Sequence, residues 1–258
     1  MIQQIIPQSY ITKLGQIREY KRATCSKHKS SMKLFAIVSA FLASAVVCDV
    51  QYECLNSNHF AFTFDNGPGQ YTPTLLGILD AVQVKATFHI VTQWLTDFQI
   101  AGYVKKIHHR GHLVGIRFNP QLSPESMSDE AIVASLVADQ ERIYKLIKVK
   151  PVYVRLPYNS AFNERVVDAV ERAGFIVTIH NLESQDYLAD SDANIQHIYD
   201  SVVSGIDTRL FNQSAILVQS DQNLFSVKSV TKLVQYIRDG KNYQIVTLNE
   251  CLGLPAYK

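Results

Sequence analysis

Short apolar stretches rich in β-branched and aromatic residues alternate with helical patterns along this chain from Phe60 onward. This alternation is typical of a parallel β-sheet covered by helices, because two parallel strands need a long crossover connection between them. It predicts an α/β domain, and periodicity alone leaves an open sheet and a closed barrel as alternatives. The predicted strands are Phe60–Phe64, Ala86–Val91, Leu113–Arg117, Val152–Leu156, Phe175–His180, Ile216–Gln219 and Gln244–Leu248.

Helical patterns lie between these strands, and the longest is predicted at Asp129–Lys148, where apolar residues recur every three or four positions. In parallel α/β domains, functional side chains collect at the carboxyl ends of the strands, so candidate site residues are expected there. No glycine-rich phosphate-binding motif occurs between Cys54 and Lys258, which excludes the common nucleotide-binding readings. The other predicted helices are Thr74–Val82, Tyr103–Arg110, Asn163–Ala173, Asn194–Ile206 and Val227–Arg238.

A basic segment followed by an apolar segment precedes the predicted domain. Seven Lys or Arg residues and one acidic residue lie in Lys13–Lys33, and Leu34–Val47 is apolar or small throughout. This order is typical of a signal peptide, and the apolar run is shorter than the roughly 20 residues that span a membrane. Because Met32 directly precedes the run, we expect an upstream extension at 1–31, a signal peptide at 32–48 and an exported domain at 49–258, free of the membrane after cleavage. An uncleaved anchor and a buried helix remain alternatives.

Export would place the cysteines in an oxidising compartment. Cleavage after Cys48 would leave Cys54 and Cys251, which are then predicted to form a disulfide. Cleavage after Ala45 would leave Cys48 as a third thiol. Asn212 begins an Asn-Gln-Ser sequon, which is a candidate N-glycosylation site, although such sequons also arise by chance.

The overall charge is close to balanced, with a formal net charge of +2 and an isoelectric point near 8.3. Nucleic acid binding needs a basic face rather than a near balance, so no nucleic acid partner is expected. For the same reason the composition does not favour an acidic polymer. The oligomeric state is left open.

Polar residues at the predicted strand ends form five motifs in order along the chain. They are Thr63–Pro68 (TFDNGP), Gly115–Arg117 with Gln121 four positions later, Arg155–Tyr158 (RLPY), Glu183 with Asp186, and Leu217–Gln219. Their order and spacing resemble the five motifs of the polysaccharide deacetylases of carbohydrate esterase family 4, which include chitin and peptidoglycan deacetylases. The resemblance covers about residues 60–248 and implies a distorted (β/α) barrel of about seven parallel strands. It also implies one divalent metal, usually zinc, that activates water to attack the N-acetyl group of a sugar polymer.

The resemblance assigns a role to each motif position, and several positions differ here. The family uses two aspartates in its first motif, a general base and a metal ligand; Asp65 keeps the base position and Asn66 replaces the ligand. Arg117 and Gln121 align with the two metal-binding histidines of the second motif. The histidine that serves as general acid in the fifth motif aligns with Gln219.

The third and fourth motifs are better preserved. Arg155 is retained, its usual aspartate partner is replaced by Glu183, and we expect these two side chains to form a structural ion pair. Asp186 is retained and Tyr187 replaces a tryptophan. Tyr158 and Tyr187 are candidate sugar contacts, although core packing and loop anchoring are alternative roles for such aromatic residues.

The replaced ligands predict that no metal binds in the family's manner. Asn66 and Gln121 offer only neutral carbonyl oxygens, and Arg117 carries a permanent positive charge. Without a metal, water keeps a pKa near 15.7 instead of about 7, a loss of roughly 12 kcal/mol in activation. We also expect Arg117 to lie beside Asp65 and to weaken it as a base. A replacement metal site built from Asp65, His89 and His180 remains an alternative.

These residues together predict an exported chitin deacetylase homologue that has lost its metal, uses no cofactor and has no deacetylase activity. The resemblance implies a partner such as chitin or another N-acetylated polysaccharide, and a location outside the cell or at the cell wall. Two alternatives remain open. The chain could be an active deacetylase or another hydrolase with an atypical site, or a structural wall protein without a sugar site.

Overall fold

The computed structural model describes residues 50–208 and 213–258 of the chain. The predicted extension at 1–31, the predicted signal peptide at 32–48 and the candidate glycosylation site Asn212 lie outside these ranges. Within them, no helix combines the length and the apolar character that a membrane crossing requires.

The described strands form one curled sheet in which every pairing is parallel. The sheet order is β5-β4-β3-β2-β1-β7-β6, and β8 pairs with the first half of β1. This curled sheet, with helices in its crossover connections, confirms the predicted distorted (β/α) barrel. The strands are His59–Asp65 (β1), Thr87–Ile90 (β2), Leu113–Arg117 (β3), Tyr153–Arg155 (β4), Ile176–Val177 (β5), Leu182–Glu183 (β6), Ala215–Ser220 (β7) and Gln244–Val246 (β8).

Seven α-helices occur among the described residues, and the longest matches the prediction closely. Ser128 accepts a hydrogen bond from the backbone of Ala131, so this helix begins at Asp129 as its cap predicts. The helices are Thr72–Ala81 (α1), Phe98–His109 (α2), Asp129–Ile147 (α3), Glu164–Arg172 (α4), Ile195–Asp207 (α5), Leu224–Val234 (α6) and Leu248–Leu252 (α7).

Two helices begin earlier than their apolar periodicity predicts. The helix predicted at Tyr103 begins at Phe98, because the Asp97 side chain accepts hydrogen bonds from the first-turn backbone. The helix predicted at Val227 begins at Leu224, where Asn223 has the same capping role. In both helices the capping residue indicates the start of the helix more accurately than the apolar pattern does.

The strand predicted at Phe175–His180 is too long, and a separate strand that was not predicted follows it. Pairing in β5 ends at Val177, and β6 begins at Leu182. Between them Asn181 docks beside β7, since its side-chain oxygen accepts a hydrogen bond from the backbone N–H of Ile216. This contact directs the chain from one edge of the sheet to the other, and so brings Glu183 to the end of β7.

The end of the sheet where the strands begin is closed by apolar packing and a disulfide. Cys54, before β1, is bonded to Cys251, in α7, and their Cα atoms are 4.5 Å apart. Both sulfurs are buried in a cluster with Ala61, Leu113 and Ile216. The pairing that the sequence predicted is therefore present. The functional side chains collect at the opposite end of the strands.

Candidate functional site

A cleft of about 370 Å³ opens where β1, β3, β6 and β7 end. This edge collects polar side chains because parallel strands present their carboxyl ends together. The cleft joins predicted site residues from the first, second, fourth and fifth motifs, including Gln219, together with His180. Its lining includes Asp65, Asn66, Arg117, His180, Glu183, Asp186, Tyr187, Ser220, Gln222 and Asn223.

Asp65 lies at the end of β1 and contacts three basic side chains. Its carboxylate is 2.8 Å from Nδ1 of His89, 3.8 Å from Nη1 of Arg155 and 3.9 Å from Nε of Arg117. Burial acts to raise the pKa of Asp65, but Arg155, His89 and Arg117 outweigh it and hold that pKa well below its usual value. The expected proximity of Arg117 to Asp65 is confirmed, and such a carboxylate is a weak base.

Arg117 contacts both Asp65, at the position of the general base, and Asn66, at the position of the metal ligand. Its Nε donates to Oδ1 of Asn66 at 3.4 Å, and its Nη1 donates to the backbone oxygen of Arg155 at 2.9 Å. Asn66 itself has a φ of 72°, a left-handed conformation that asparagine adopts more readily than most residues. The guanidinium charge therefore occupies the space beside the substituted ligand.

These residues do not fit a zinc ion. Zinc sites need about three nitrogen, sulfur or carboxylate ligands, whereas Asn66 and Arg117 provide a neutral amide and a cation. Gln121, the third predicted position, lies on an exposed turn where its backbone N–H binds Asn119. In residues 50–208 and 213–258, no three His, Cys, Asp or Glu side chains are grouped closely enough to hold a metal ion.

The two histidines of the alternative metal site do approach Asp65, but they have other contacts. His89 is buried, with Nδ1 on Asp65 and Nε2 3.4 Å from the Thr178 hydroxyl. Burial, and then Arg155, lower the pKa of His89 to about 4 and that of His180 to about 3. Both imidazoles are therefore neutral near pH 7, and neither ring nitrogen of His89 is free to bind a metal.

The predicted ion pair between Arg155 and Glu183 is wrong. Arg155 is buried under the cleft and points toward β1, where its Nη2 donates to the Thr63 hydroxyl at 3.2 Å and its Nη1 faces Asp65. Glu183 has no ion pair with any described residue. Its pKa is raised, first by burial and then by the nearby Asp186 carboxylate. The contact that a motif comparison assigned to Glu183 belongs to Asp65.

Glu183 and Asp186 form the opposite side of the cleft, which we call the acidic wall. Asp186 accepts a hydrogen bond from the backbone N–H of Ser220 at 2.6 Å, yet burial raises its pKa. Tyr187 projects from the rim of this wall with 67% of its surface exposed. Tyr158 lies one layer deeper, where its ring packs against His180 with 5.6 Å between centroids.

Gln219, the predicted position of the lost general acid, lines the cleft. Its amide nitrogen donates to the hydroxyls of Ser226 and Ser229 on α6. The pairing of β1 with β7 places Ser220 beside Asp65 and Gln219 beside Phe64. Both β7 residues therefore belong to the cleft, and the amide of Gln219 is already engaged by α6.

Three residues that the motif comparison did not single out hold the TFDNGP loop in place. Trp94 and Gln222 both donate side-chain hydrogen bonds to the backbone oxygen of Asn66. Asp221 is buried below the loop and accepts a hydrogen bond from Thr72 at 2.6 Å. A Cβ at Gly67 would come within 1.9 Å of Asp221, which explains the glycine. Only that glycine could have signalled this close approach from the sequence.

Comparison with known proteins adds a family match and several relatives. The family model described as polysaccharide deacetylase matches residues 53–178. A chitin deacetylase from Pestalotiopsis sp is 26% identical over 209 residues, which are 78% of this chain and 65% of that protein. A chitin deacetylase from Colletotrichum lindemuthianum is 26% identical over 207 residues, or 78% of this chain and 82% of that protein. This chain thus spans slightly less than two thirds of the first relative.

Solved structures share the fold. The structure of the Colletotrichum lindemuthianum chitin deacetylase has a TM-score of 0.75 at 23% identity and covers 80% of this chain and 94% of that one. A second neighbour, from Bacillus anthracis, is described as a pseudoenzyme of the same CE4 family. It has a TM-score of 0.63 at 16% identity and covers 75% of this chain and 65% of that one. Both likenesses concern the fold alone.

Proposed function

This chain belongs to the polysaccharide deacetylase family, carbohydrate esterase family 4, and we propose that it binds N-acetylated polysaccharides such as chitin without deacetylating them. The observation that carries the proposal is the Arg117 guanidinium, which lies within 4 Å of both Asp65 and Asn66. A fixed positive charge at this place repels a metal cation. It also removes the means of activating water that the family's chemistry needs.

Arg117 can take over one task of the missing metal, which is to hold the acetyl oxygen. Guanidinium has five N–H donors, and the hydrogen bonds of Arg117 to described residues engage only Nε and Nη1. Among the described residues, Nη2 makes no hydrogen bond, although the side chain lines the cleft. A charged donor there binds a carbonyl oxygen more strongly than a neutral donor does. The acetamide would thus be bound and polarised, but no activated water would be available to attack it.

Asp65 supports the absence of catalysis from a second direction. Its carboxylate is held by His89, Arg155 and Arg117, and its depressed pKa makes it a poor acceptor of a proton from water. A correctly placed base contributes about 10²- to 10⁴-fold, far less than a lost metal-bound hydroxide. The retained aspartate therefore does not compensate for the ligands that have been replaced.

Exposed aromatic rings flank the cleft and suit a sugar polymer. Trp94 lies beside Asn66 with 43% of its surface exposed, and Tyr187 lies on the opposite rim. Aromatic faces provide large apolar contacts while their polar atoms stay hydrated. The predicted signal peptide adds the second part of the proposal, that the chain acts outside the cell or at its wall.

The proposal is tested by measuring binding and hydrolysis on one preparation of the purified protein. Isothermal titration with N-acetylglucosamine hexamer should give saturable binding, while acetate release and stoichiometric metal should both be absent. Arg117→Met should weaken binding, and Arg172→Met provides a matched control because that arginine is exposed on α4, outside the cleft. Acetate release by the unmodified protein that is lost in Asp65→Ala would overturn the proposal. A flat titration would favour a structural protein without a sugar site.

A reconstruction gives a second, independent test. The double variant Asn66→Asp, Arg117→His removes the guanidinium and places a carboxylate and an imidazole beside Asp65, and we expect it to take up zinc. The single variant Asn66→Asp should not, because Arg117 still occupies the position. Zinc uptake by the unmodified protein, equal to that of the double variant, would show that Arg117 does not block a metal.

A further inference from the structure

A second groove lies outside the cleft, between the 3₁₀ segment Thr92–Thr96 and helix α3. Its volume is about 490 Å³. The groove is lined by hydroxyl and amide groups, by two cations and by two leucines. It therefore offers both polar and apolar contacts to a ligand. The lining residues are Thr92, Gln93, Leu95, Thr96, Arg142, Lys145 and Leu146.

The cations of this groove follow one face of α3. Arg142 and Lys145 are three residues apart on α3, so their side chains are neighbours on its surface. The Arg142 side chain is held in place, because its Nη1 donates to Asp139 at 2.8 Å and to the Thr92 hydroxyl at 3.2 Å. Asp139 is buried and offsets only this one charge.

Lys145 provides the excess charge. Within residues 50–208 and 213–258, its ammonium group has no ion pair or hydrogen bond, whereas the Lys148 ammonium lies 5.9 Å from the centre of the Tyr144 ring. Lysines near a helix C-terminus normally stabilise the helix dipole, which amounts to about half a negative charge. The full charge of Lys145, beyond the Arg142–Asp139 pair, exceeds that requirement.

The other groups in the groove suit a sugar ring. The Thr96 hydroxyl and the Gln93 amide can bind ring hydroxyls, and Leu95 and Leu146 offer apolar contacts to a ring face. The side-chain oxygen of Gln93 is buried and accepts no hydrogen bond from any described residue. A ligand hydroxyl would satisfy this acceptor, whose burial without a partner is otherwise unfavourable.

We propose that this groove binds a carboxylate-bearing sugar, such as a uronic acid residue of an acidic polysaccharide. The Lys145 ammonium and the outer edge of Arg142 bind the carboxylate, and Gln93 and Thr96 bind the hydroxyls. The near-neutral composition of the chain concealed this surface, because the charges are concentrated on one face of α3 rather than spread over the molecule.

The groove and the cleft lie on two sides of the same short segment. Trp94 donates its indole N–H to Asn66 beside the cleft, while its neighbour Leu95 lines the groove. A polymer bound in one site therefore passes close to the other. The two sites take different ligands, and the groove does not depend on what the cleft binds.

Titration with a galacturonic acid trimer tests this proposal on the purified protein. The variant Lys145→Gln should weaken binding by about threefold, from the loss of one exposed charge pair. The control is Lys228→Gln, which removes an exposed lysine from α6 and should leave binding unchanged. N-acetylglucosamine trimer should not displace the acidic trimer. In amide NMR spectra, the shifts caused by the acidic trimer should map to Gln93 and Thr96.

Several results would overturn the proposal. Equal weakening in Lys145→Gln and Lys228→Gln would mean that binding is a general charge effect. Displacement of the trimer by inorganic phosphate at equal concentration would mean that the groove selects anions and not sugars. Shifts confined to Asp65 and Glu183 would place the acidic trimer in the cleft, and the absence of binding would leave the groove without a ligand.

Discussion

The two sides of the cleft solve the problem of burying charge in opposite ways. On the side of β1, β3 and β4, Arg117 and Arg155 share the single carboxylate of Asp65, which is held ionised. On the acidic wall, Glu183 and Asp186 lie together without a cation among the described residues, and burial raises the pKa of each. One side stabilises its charges by pairing, and the other by holding its protons more tightly.

This difference suggests how a metal site can be lost without loss of the fold. A metal ligand that changes to an amide leaves a buried aspartate without its cation, and an unpaired buried charge is strongly unfavourable. Arg117 restores a positive charge beside Asp65. The carboxyl groups of the acidic wall need no cation beside them, because they can take up protons instead.

The largest effect is expected from neutralising the shared carboxylate. Asp65→Asn leaves two buried guanidinium groups facing a neutral amide and should lower the free energy of unfolding by about 3–5 kcal/mol. Asp186→Asn, on the acidic wall, should cost only about 1 kcal/mol because no ion pair is broken. Urea unfolding of both variants measures the contrast. Equal losses would mean that the two walls do not differ, and partial rescue of Asp65→Asn by Arg117→Met would sharpen the assignment.

The second effect concerns the stability of the fold in acid. Burial foremost lowers the pKa of His89 and His112 to about 4 and that of His180 to about 3, so the unfolded chain binds up to three more protons below about pH 6.5. Burial raises the pKa of Asp221 to about 7, which offsets one of them.

Burial also raises the pKa values of Asp139, Glu183 and Asp186, which offset the histidines further. Unfolding should therefore take up at most about two protons between pH 5 and 6, so stability should fall by at most roughly 2.7 kcal/mol per pH unit as the solution is acidified. Urea midpoints measured across this range check the sign. Stability that is constant, or that increases toward pH 5, would contradict the neutral state of these histidines.

A third, smaller effect tests which β7 residue faces the acidic wall. Gln219→Ala removes hydrogen bonds to Ser226 and Ser229, so it should lower stability by about 1–2 kcal/mol and leave affinity for N-acetylglucosamine hexamer unchanged. Ser220→Ala should do the reverse, with nearly unchanged stability and weaker binding. If Gln219→Ala weakened binding at full stability, Gln219 rather than Ser220 would be the β7 residue that contacts the sugar.

The smallest effect is expected at the rim of the acidic wall. Tyr187→Ala should weaken binding of the same hexamer by about 0.5–1.5 kcal/mol, the range for an aromatic contact, with little change in stability because the ring is exposed. Tyr144→Ala, on α3 outside the cleft, is the matched control. An affinity that responds equally to both variants would remove Tyr187 from the sugar site.

The sequence predicted the class of fold and the members of the cleft because both follow from local patterns. Apolar runs located β1 and β3 well, and the strand ends identified Asp65, Asn66 and Arg117, which the structure brings together. The contacts of each side chain were harder to predict than the list of residues that line the cleft. Arg155 was assigned to Glu183 from motif order, whereas the curvature of the sheet turns it toward Asp65.

Two site positions depend on geometry that a linear motif does not carry. On β7, Gln219 and Ser220 both line the cleft, but the Gln219 amide binds Ser226 and Ser229, whereas Ser220 is paired with Asp65. Gln121 lies at the right spacing after Arg117, but β3 has ended and the following turn exposes it. Spacing predicts position only where the chain keeps a regular conformation.

The disulfide has a mechanical consequence. Cys54 and Cys251 are 197 positions apart in sequence, yet their Cα atoms are separated by 4.5 Å. A pulling force applied on the two flanks of the domain would pass directly through the sulfur–sulfur bond and would not stretch the strands between. Only the short flanking segments would lengthen, so the cleft would keep its shape under tension for as long as that bond stays oxidised.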